Sequence, residues 1–212
     1  MDNQQIFASD DNESIDKHLR AFFPDYSYKG IFIDVGAFHS KWLSNSYHFE
    51  VNGWNVICIE PNPYCLNELN QNRKCVIPYA AYSKNIDNME FCIDSNSPDF
   101  ISHMAGGTTL KKFWKRSSLK EVIKVNARTL DWILESQNIT KIDILSIDVE
   151  GGEIEVLKGT NLKKWNPKII VIENLVKRGQ PRPMNQNDYL LKHGYNFIKR
   201  IHPNDFYERQ ND

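Results

Sequence analysis

The sequence predicts a doubly wound α/β fold, in which a mostly parallel β-sheet carries helices on both faces. Short runs rich in Val and Ile alternate along the chain with segments of helical pattern. Those runs are nearly continuous in apolar residues, which is typical of strands buried on both faces of a parallel sheet. With 212 residues, of which 41% are hydrophobic, the chain is long enough for one domain with a substantial core.

The first half of the chain repeats a unit of strand, turn and helix. The first strand is GIFIDVG, and a helical stretch with Trp42 follows it and ends at Gly53. The second strand is NVICIE. Asn62 then caps a helix whose first residue is Pro63, where the missing N–H is not needed. A third strand, CVIPYAAYS, leads to an extra strand, NMEFCI.

The second half resumes this alternation after an irregular segment. Thr129 caps a helix, and Gly151-Gly152 opens another. In order, the predicted elements are the strand VIKVNA, the helix LDWILES, the strand KIDILSID, the helix EIEVLK, the strand PKIIVIEN, the helix NDYLLKHGY, and the closing strands FIKRI and DFYER. We expect a helical segment at residues 1–28 and a single domain at residues 29–212. A flexible lid-like insertion is predicted at about 94–118, where Gly, Ser and Pro interrupt the regular elements.

Composition excludes several classes of partner. The formal net charge of -1 gives no global attraction to nucleic acid or anionic lipid. No apolar run approaches the roughly 20 residues that span a bilayer, and the acidic start is unlike a secretory signal, so a cytoplasmic location is expected. The four cysteines form no CxxC pair, which favours free thiols over a zinc site or disulfides.

Four predicted strands end on a carboxylate: Asp34, Glu60, Asp148 and Glu173. Each could simply cap the element that follows it. Doubly wound sheets, however, bind ligands beyond the carboxyl ends of their strands, where the strand order reverses. Four carboxylates on one rim therefore indicate a ligand site.

Glu60 and Gly36 indicate which ligand binds there. An acidic residue at the end of the second strand suits the two hydroxyls of a ribose. The first turn lacks the G-x-G-x-x-G that seats a pyrophosphate against a helix, which disfavours a dinucleotide. S-adenosylmethionine has no phosphate and needs a close backbone approach, which Gly36 permits. A larger side chain at Gly36 is expected to block the cofactor and leave the fold largely intact.

Five motifs resemble those of the FkbM family of S-adenosylmethionine-dependent methyltransferases. They are FIDVGA, SNSY, GWNVICIEPNP, NARTLDWIL and, most specifically, IDILSIDVEGGEIEVLKG. The resemblance covers residues 30–195. It implies a Rossmann-like class I methyltransferase sheet of seven strands, the last antiparallel, and an O-methyltransferase that acts on a hydroxyl of a sugar or related natural product. One departure is AFHS after the glycine, where many members have Ala-Asn-x-Gly.

The resemblance also implies the residues of the site. Those that match the cofactor turn and the ribose-binding strand end are Asp34, Gly36, Ala37, Glu60, Pro61 and Asn62. We add Ala80, in the third predicted strand, and Asp148 to the predicted cofactor contacts. Residues 148–153 match the acidic stretch that faces the active site.

Methyl transfer to a hydroxyl needs a base, because a sugar hydroxyl is not ionised at neutral pH. Asp148 is the first candidate for base or acceptor anchor. His39 and His103 compete with it, since imidazole titrates near neutral pH. Glu173 could orient the acceptor or hold a divalent metal together with Asp148. Carboxylates alone do not establish a metal site, so no metal is expected.

Other functions stay open at this level. A nucleotide-binding domain of another class, NAD-dependent or non-catalytic, would share the fold. The segment at residues 111–116 mixes basic and aromatic side chains and could contact nucleic acid, which makes a nucleic-acid methyltransferase the other alternative. The neutral overall charge favours a small-molecule or glycan acceptor instead, with no nucleic acid.

Overall fold

A seven-stranded sheet forms the centre of the structure, a computed structural model that describes residues 7–8, 14–94, 102–104, 120–174 and 184–210. The strands are β1 (Ile31–Val35), β2 (Asn55–Ile59), β3 (Val76–Ile77), β4 (Ala80–Ala81), β5 (Ile86–Asp94), β6 (Ser102–Met104), β7 (Lys120–Arg128), β8 (Ile144–Ile147), β9 (Ile169–Glu173), β10 (Tyr195–Ile201) and β11 (Asn204–Arg209). The helices are α1 (Ile15–Arg20), α2 (Tyr47–Val51), α3 (Pro63–Asn72), α4 (Leu130–Ser136), α5 (Glu153–Lys158), α6 (Leu162–Trp165) and α7 (Met184–Lys192).

The strand order of the large sheet is β10-β11-β9-β8-β1-β2-β3. Neighbours from β9 to β3 pair in parallel, whereas β11 is antiparallel to both β9 and β10. The sheet is thus mixed but mostly parallel, and the predicted seven strands with the last one reversed are confirmed. The chain moves outward in one direction from β1 to β2 and β3, then returns to β8 on the other side of β1. This reversal opens a crevice at the carboxyl ends of β1 and β8.

Alternating side chains of the strands build one core on each face of this sheet. Ile33 and Leu145 face the cluster that receives α4, α5, α6 and α7, whereas Phe32 and Ile144 face the cluster that receives α1, α2 and α3. The predicted helices on both faces are confirmed. Leu19 of α1 is fully buried in the second cluster, so the amino-terminal helix packs against the main sheet.

A second sheet, with the order β4-β7-β5-β6, was not predicted. The run CVIPYAAYS is one strand by its pattern, but the structure splits it at Pro78: β3 joins the large sheet and β4 joins the small one. Proline has no N–H for a ladder and restricts the residue before it, which explains the break.

The second helix is also shorter than predicted. The pattern extends it back to Trp42, but α2 begins at Tyr47. Leu43 has a φ of +57°, a left-handed conformation that a helix cannot contain. Predicted caps fare better: the side chains of Asn62 and Thr129 accept hydrogen bonds from the backbone N–H of Tyr64 and Trp132.

Most of the predicted lid lies outside the described residues. Within 94–118 the structure describes Asp94 and β6, which pairs with β5. The basic and aromatic segment at 111–116 also lies outside the described ranges. All four cysteines are free thiols, as predicted. Every helix in the described part of the chain is too short or too polar to cross a lipid bilayer.

Candidate active site

A pocket of about 260 Å³ opens where β1, β2 and β8 end. The small sheet closes its other side through residues of β4 and β5. Seven of the eight predicted cofactor contacts line it: Asp34, Gly36, Ala37, Glu60, Pro61, Ala80 and Asp148. The eighth, Asn62, is fully buried and caps α3 instead of facing the pocket.

Gly36 is the point where the turn after β1 touches the end of β8. Its φ is +85°, and a Cβ atom here would lie 1.7 Å from the backbone oxygen of Asp148. The backbone N–H groups of Gly36 and Ala37 both donate to the carbonyl of Ile59. Even one methyl group must therefore displace backbone, and the expectation that a larger residue leaves the fold intact was wrong.

Glu60 is buried and organises the loops around it. One carboxylate oxygen accepts from the backbone N–H of Phe38 at 3.0 Å, and the other accepts from that of Asn62 at 2.8 Å. Burial nevertheless raises the pKa of this carboxyl to about 7, because two hydrogen bonds do not replace the lost hydration. Each oxygen keeps a second lone pair, so Glu60 can still accept hydrogen bonds from a ligand.

Asp34 is held by a buried polar network that the sequence did not reveal. Its Oδ2 accepts from the hydroxyl of Ser46 at 2.5 Å, and Ser46 in turn accepts from Nη2 of Arg73 at 2.7 Å. Arg73 also donates to the Ser44 hydroxyl and pairs with Glu50. Burial raises the pKa of Asp34. The network fixes the loop at residues 40–46, which forms one wall of the pocket.

Backbone strain concentrates at this pocket. Six non-glycine residues of the described ranges have a positive φ, and three of them are Asn, which tolerates that conformation. The other three all line the pocket: Phe38 at 50°, Leu43 at 57° and Glu150 at 55°. Such conformations persist only where the surrounding structure enforces them, and they cluster at functional sites.

Three carboxyl groups converge beside the pocket. Asp148 follows β8, Glu150 lies in the next turn, and Glu173 ends β9; one carboxylate oxygen from each lies within 4.8 Å of the others. Burial raises the pKa of all three, and repulsion from neighbouring carboxylates, among them Glu153, raises it further. Asp148 and Glu150 line the pocket itself, whereas Glu173 does not.

The two candidate histidines are placed differently. His39 lies outside the pocket lining, and its Nδ1 accepts from the backbone N–H groups of Lys41 and Trp42 at 3.1 Å. This hydrogen bonding gives the ring a role in the turn. His103 lies on β6, and of it the structure describes only the backbone.

The apolar wall of the pocket was missed by sequence reasoning. It contains Phe38, Trp42, Leu43, Tyr79 and Phe91. Trp42 and Leu43 are 48% and 63% exposed, unusually open for such side chains. The pattern placed them in a helical stretch, so their position in the pocket wall was not predicted. The turn signal that could have shown otherwise is the Ser-rich SNSY that follows them.

Comparison with known proteins places the chain among methyltransferases. The sequence profile described as "Methyltransferase FkbM domain" matches residues 34–197, which include every pocket-lining residue. Among solved structures, one similar chain is the precorrin-6y C5,15-methyltransferase from Geobacter metallireducens GS-15. It has 12% sequence identity and a TM-score of 0.42, over 95% of this chain and 91% of that chain. No curated protein matches the sequence.

Proposed function

Because the chain belongs to the FkbM methyltransferase family, we propose that it transfers a methyl group from S-adenosylmethionine to a hydroxyl of a carbohydrate or related natural product. The observation that carries this proposal is the pocket at the ends of β1, β2 and β8. It combines a tight glycine turn, a buried carboxylate and an apolar wall. The site also lies at the reversal of strand order, where such sheets bind their ligands.

The residues present fit S-adenosylmethionine. Gly36 lets the turn after β1 pass directly against the end of β8, so the backbone of this turn borders the pocket, and Glu60 has lone pairs left for the ribose hydroxyls. Ala80 and Phe91 offer an apolar surface suited to a purine ring. Asp34 supplies negative charge on the side of Gly36 and Ala37, which suits the ammonium group of the methionine part.

A dinucleotide fits less well. A pyrophosphate needs a helix N-terminus directly after the glycine turn. Here the chain is non-helical from Gly36 to Ser46, and α2 has five residues. This supports S-adenosylmethionine over NAD.

The chemistry required of the protein is alignment and removal of a proton. S-adenosylmethionine supplies a sulfonium methyl carbon that is open to in-line displacement. We propose that Asp148 accepts the hydroxyl proton or holds the acceptor oxygen in line with that carbon. Its position at the pocket edge, on the end of a buried strand, supports this role. General-base help is typically worth about 10²–10⁴-fold.

Calorimetry with S-adenosylmethionine and with NAD tests the cofactor. We expect saturable binding of S-adenosylmethionine and none of NAD; the reverse result would overturn the proposal. A mass-spectrometric screen for a methyl gain across free sugars, nucleotide sugars and lipid-linked glycans then identifies the acceptor. A gain on nucleic acid alone would replace the proposed acceptor class.

The Asp148→Asn variant tests the proposed role of that carboxylate. The substitution preserves shape and removes basicity, so we expect cofactor binding and thermal stability to persist while turnover falls by about 10²-fold or more. The comparison variant is His39→Ala, since His39 lies outside the pocket. Full turnover in Asp148→Asn together with loss of turnover in His39→Ala would identify His39, and not Asp148, as the base.

A further inference from the structure

The carboxyl groups of Asp148, Glu150 and Glu173 form a cluster beside the pocket. Strands β8 and β9 are parallel neighbours, so their carboxyl ends place Asp148 beside Glu173. The turn between β8 and α5 adds Glu150. One oxygen from each residue lies within 4.8 Å of the other two, a spacing that lets a single cation touch all three.

Glu173 provides a second observation. The residue is 5% exposed, and its Oε2 is buried with no hydrogen-bond partner in the part of the chain that the structure describes. A buried carboxylate oxygen without a donor is costly unless a proton or a cation neutralises it. Across the described ranges, the ion pairs of Lys, Arg and His involve other acidic residues.

The nearby Glu153 differs from these three. Its Oε1 accepts from the backbone N–H groups of Gly151 and Val149, and its Oε2 accepts from the side chain of Gln186. Glu153 therefore supports the turn as a hydrogen-bond acceptor, and its charge adds to the repulsion within the cluster. The turn it supports holds Glu150 at a φ of +55° and keeps that carboxylate at the cluster.

We propose that Asp148, Glu150 and Glu173 bind a hard divalent cation of the Mg²⁺ or Mn²⁺ type, in place of the metal-free site that the sequence predicts. Carboxylate oxygens are the ligands that these ions prefer. If each carboxylate gives one oxygen, an octahedral ion keeps about three positions for water or other oxygens. The competing explanation is a proton shared between the carboxyl groups of Asp148 and Glu173.

The cation deepens the proposed methyl transfer, on which this step rests. Asp148 and Glu150 line the pocket, so open coordination positions would face the bound acceptor. Two adjacent oxygens of an acceptor could fill two of these positions, which selects a vicinal diol or a hydroxyl beside another oxygen donor. A hydroxyl bound to a divalent cation also loses its proton more readily. The second oxygen of Asp148 stays available to receive that proton.

Binding of Mn²⁺ itself tests the proposal. The full chain is freed of metal with EDTA, exchanged into metal-free buffer and titrated with MnCl₂, and the signal of free Mn²⁺ is followed by electron paramagnetic resonance. We expect one site per chain, from which Mg²⁺ displaces Mn²⁺. Glu173→Gln should weaken Mn²⁺ binding roughly tenfold or more. The matched control is Glu135→Gln, an exposed helix residue outside the cluster, which should bind Mn²⁺ like the native chain.

A second variant guards against a folding defect. Glu150→Gly removes one proposed ligand and relieves a left-handed conformation, so it should fold at least as well as the native chain while losing Mn²⁺ affinity. If the native chain takes up no Mn²⁺ at millimolar concentration, the cluster is held by protons and the proposal is overturned. Equal affinity in the native chain and in both cluster variants would overturn it as well.

Calorimetry with S-adenosylmethionine on the same samples in EDTA separates the two proposals. If S-adenosylmethionine binds and no Mn²⁺ site is found, the proposed cation site is rejected and the proposed methyltransferase function is retained. A Mn²⁺ site without cofactor binding supports the cation site and removes the proposed function.

Discussion

The protonation of Glu60 should control how tightly S-adenosylmethionine binds. Ribose hydroxyls donate hydrogen bonds, so they favour the ionised carboxylate, and the raised pKa of about 7 leaves the free protein partly protonated near neutrality. Asp34 is the neighbouring carboxyl group whose charge raises this pKa further. We expect the affinity to fall roughly tenfold from about pH 8 to about pH 6, measured by calorimetry.

A Glu60→Gln variant is the control for that pH dependence. Its amide does not titrate, so its affinity should be weaker at high pH and flat across the same range. The amide also has only one oxygen, so the backbone N–H of either Phe38 or Asn62 loses the side-chain oxygen to which it donates. A native chain with flat affinity over this range would show that Glu60 does not contact the ribose.

Gly36→Ala is expected to cost both stability and cofactor binding. The left-handed φ of +85° costs an Ala about 1 kcal/mol, and the added Cβ collides with backbone at 1.7 Å. The matched control is Gly194→Ala, because Gly194 has a φ of +81° and nothing lies within 4 Å of its Cβ position. Urea unfolding should show a larger loss for Gly36→Ala. Equal losses of stability in the two variants would mean that the backbone at the end of β8 moves aside at no cost.

Residue identities at strand ends were the predictable part of the site. Asp34, Glu60 and Asp148 follow buried apolar runs, and parallel strands bring such ends to one rim, so sequence order is enough to gather them. Phe38 and Phe91 were not predictable, because Phe38 depends on a left-handed turn and Phe91 on the small sheet. Neither feature has a periodic signal.

The loop at residues 40–46 depends on α3 through Arg73, the residue that follows this helix. The Arg73 side chain is fully buried and holds Ser44 and Ser46, while Glu50 balances its charge. Arg73→Met leaves Glu50 buried without its partner, so we expect a loss of about 3–5 kcal/mol in the free energy of unfolding. Cofactor affinity should fall too, because the loop carries a wall of the pocket.

A double variant separates these two effects. Arg73→Met with Glu50→Met removes both charges, so most of the stability should return in urea unfolding. The hydrogen bonds to the loop stay absent, and calorimetry should still show weak binding of S-adenosylmethionine. Native affinity for S-adenosylmethionine in the double variant would show that the network stabilises the fold but does not affect cofactor binding.

Elements with strong periodicity and caps were predicted from sequence, and those decided by long-range pairing were not. The strands β1, β2, β8 and β9 are short apolar runs between helix signals, and α3 and α4 have capping side chains. The split of β3 from β4 depends on which sheet each half joins, and apolar pattern does not encode the partner. The residues before Tyr47 that were predicted to belong to α2 form a loop, because the Arg73 network holds them there.

For the whole molecule, stability should fall as the pH rises towards neutrality. The folded Glu60 keeps its proton up to about pH 7, whereas the unfolded chain loses it near the ordinary 4.5, so unfolding releases a proton between these values. Ionisation of Glu60 alone lowers the free energy of unfolding by about 3 kcal/mol over this pH range, and Asp34 acts in the same direction. With a formal net charge of -1, overall charge repulsion adds little.

Urea midpoints at about pH 5.5 and about pH 8 measure this effect, and the lower pH should give the more stable protein. The Glu60→Gln variant should show a smaller difference. A native chain that gains stability over this range would contradict the raised pKa of these carboxyl groups.

Strand β11 lies between β9 and β10, although it follows both in the chain. During synthesis, β9 and β10 therefore leave the ribosome before the strand that joins them exists. Until then β9, with the apolar sequence IIVIE, is a bare sheet edge, the kind of surface that pairs with other chains. Nascent chains stopped before Asn204 should aggregate, and holding β9 apart until β11 arrives becomes a task for chaperones.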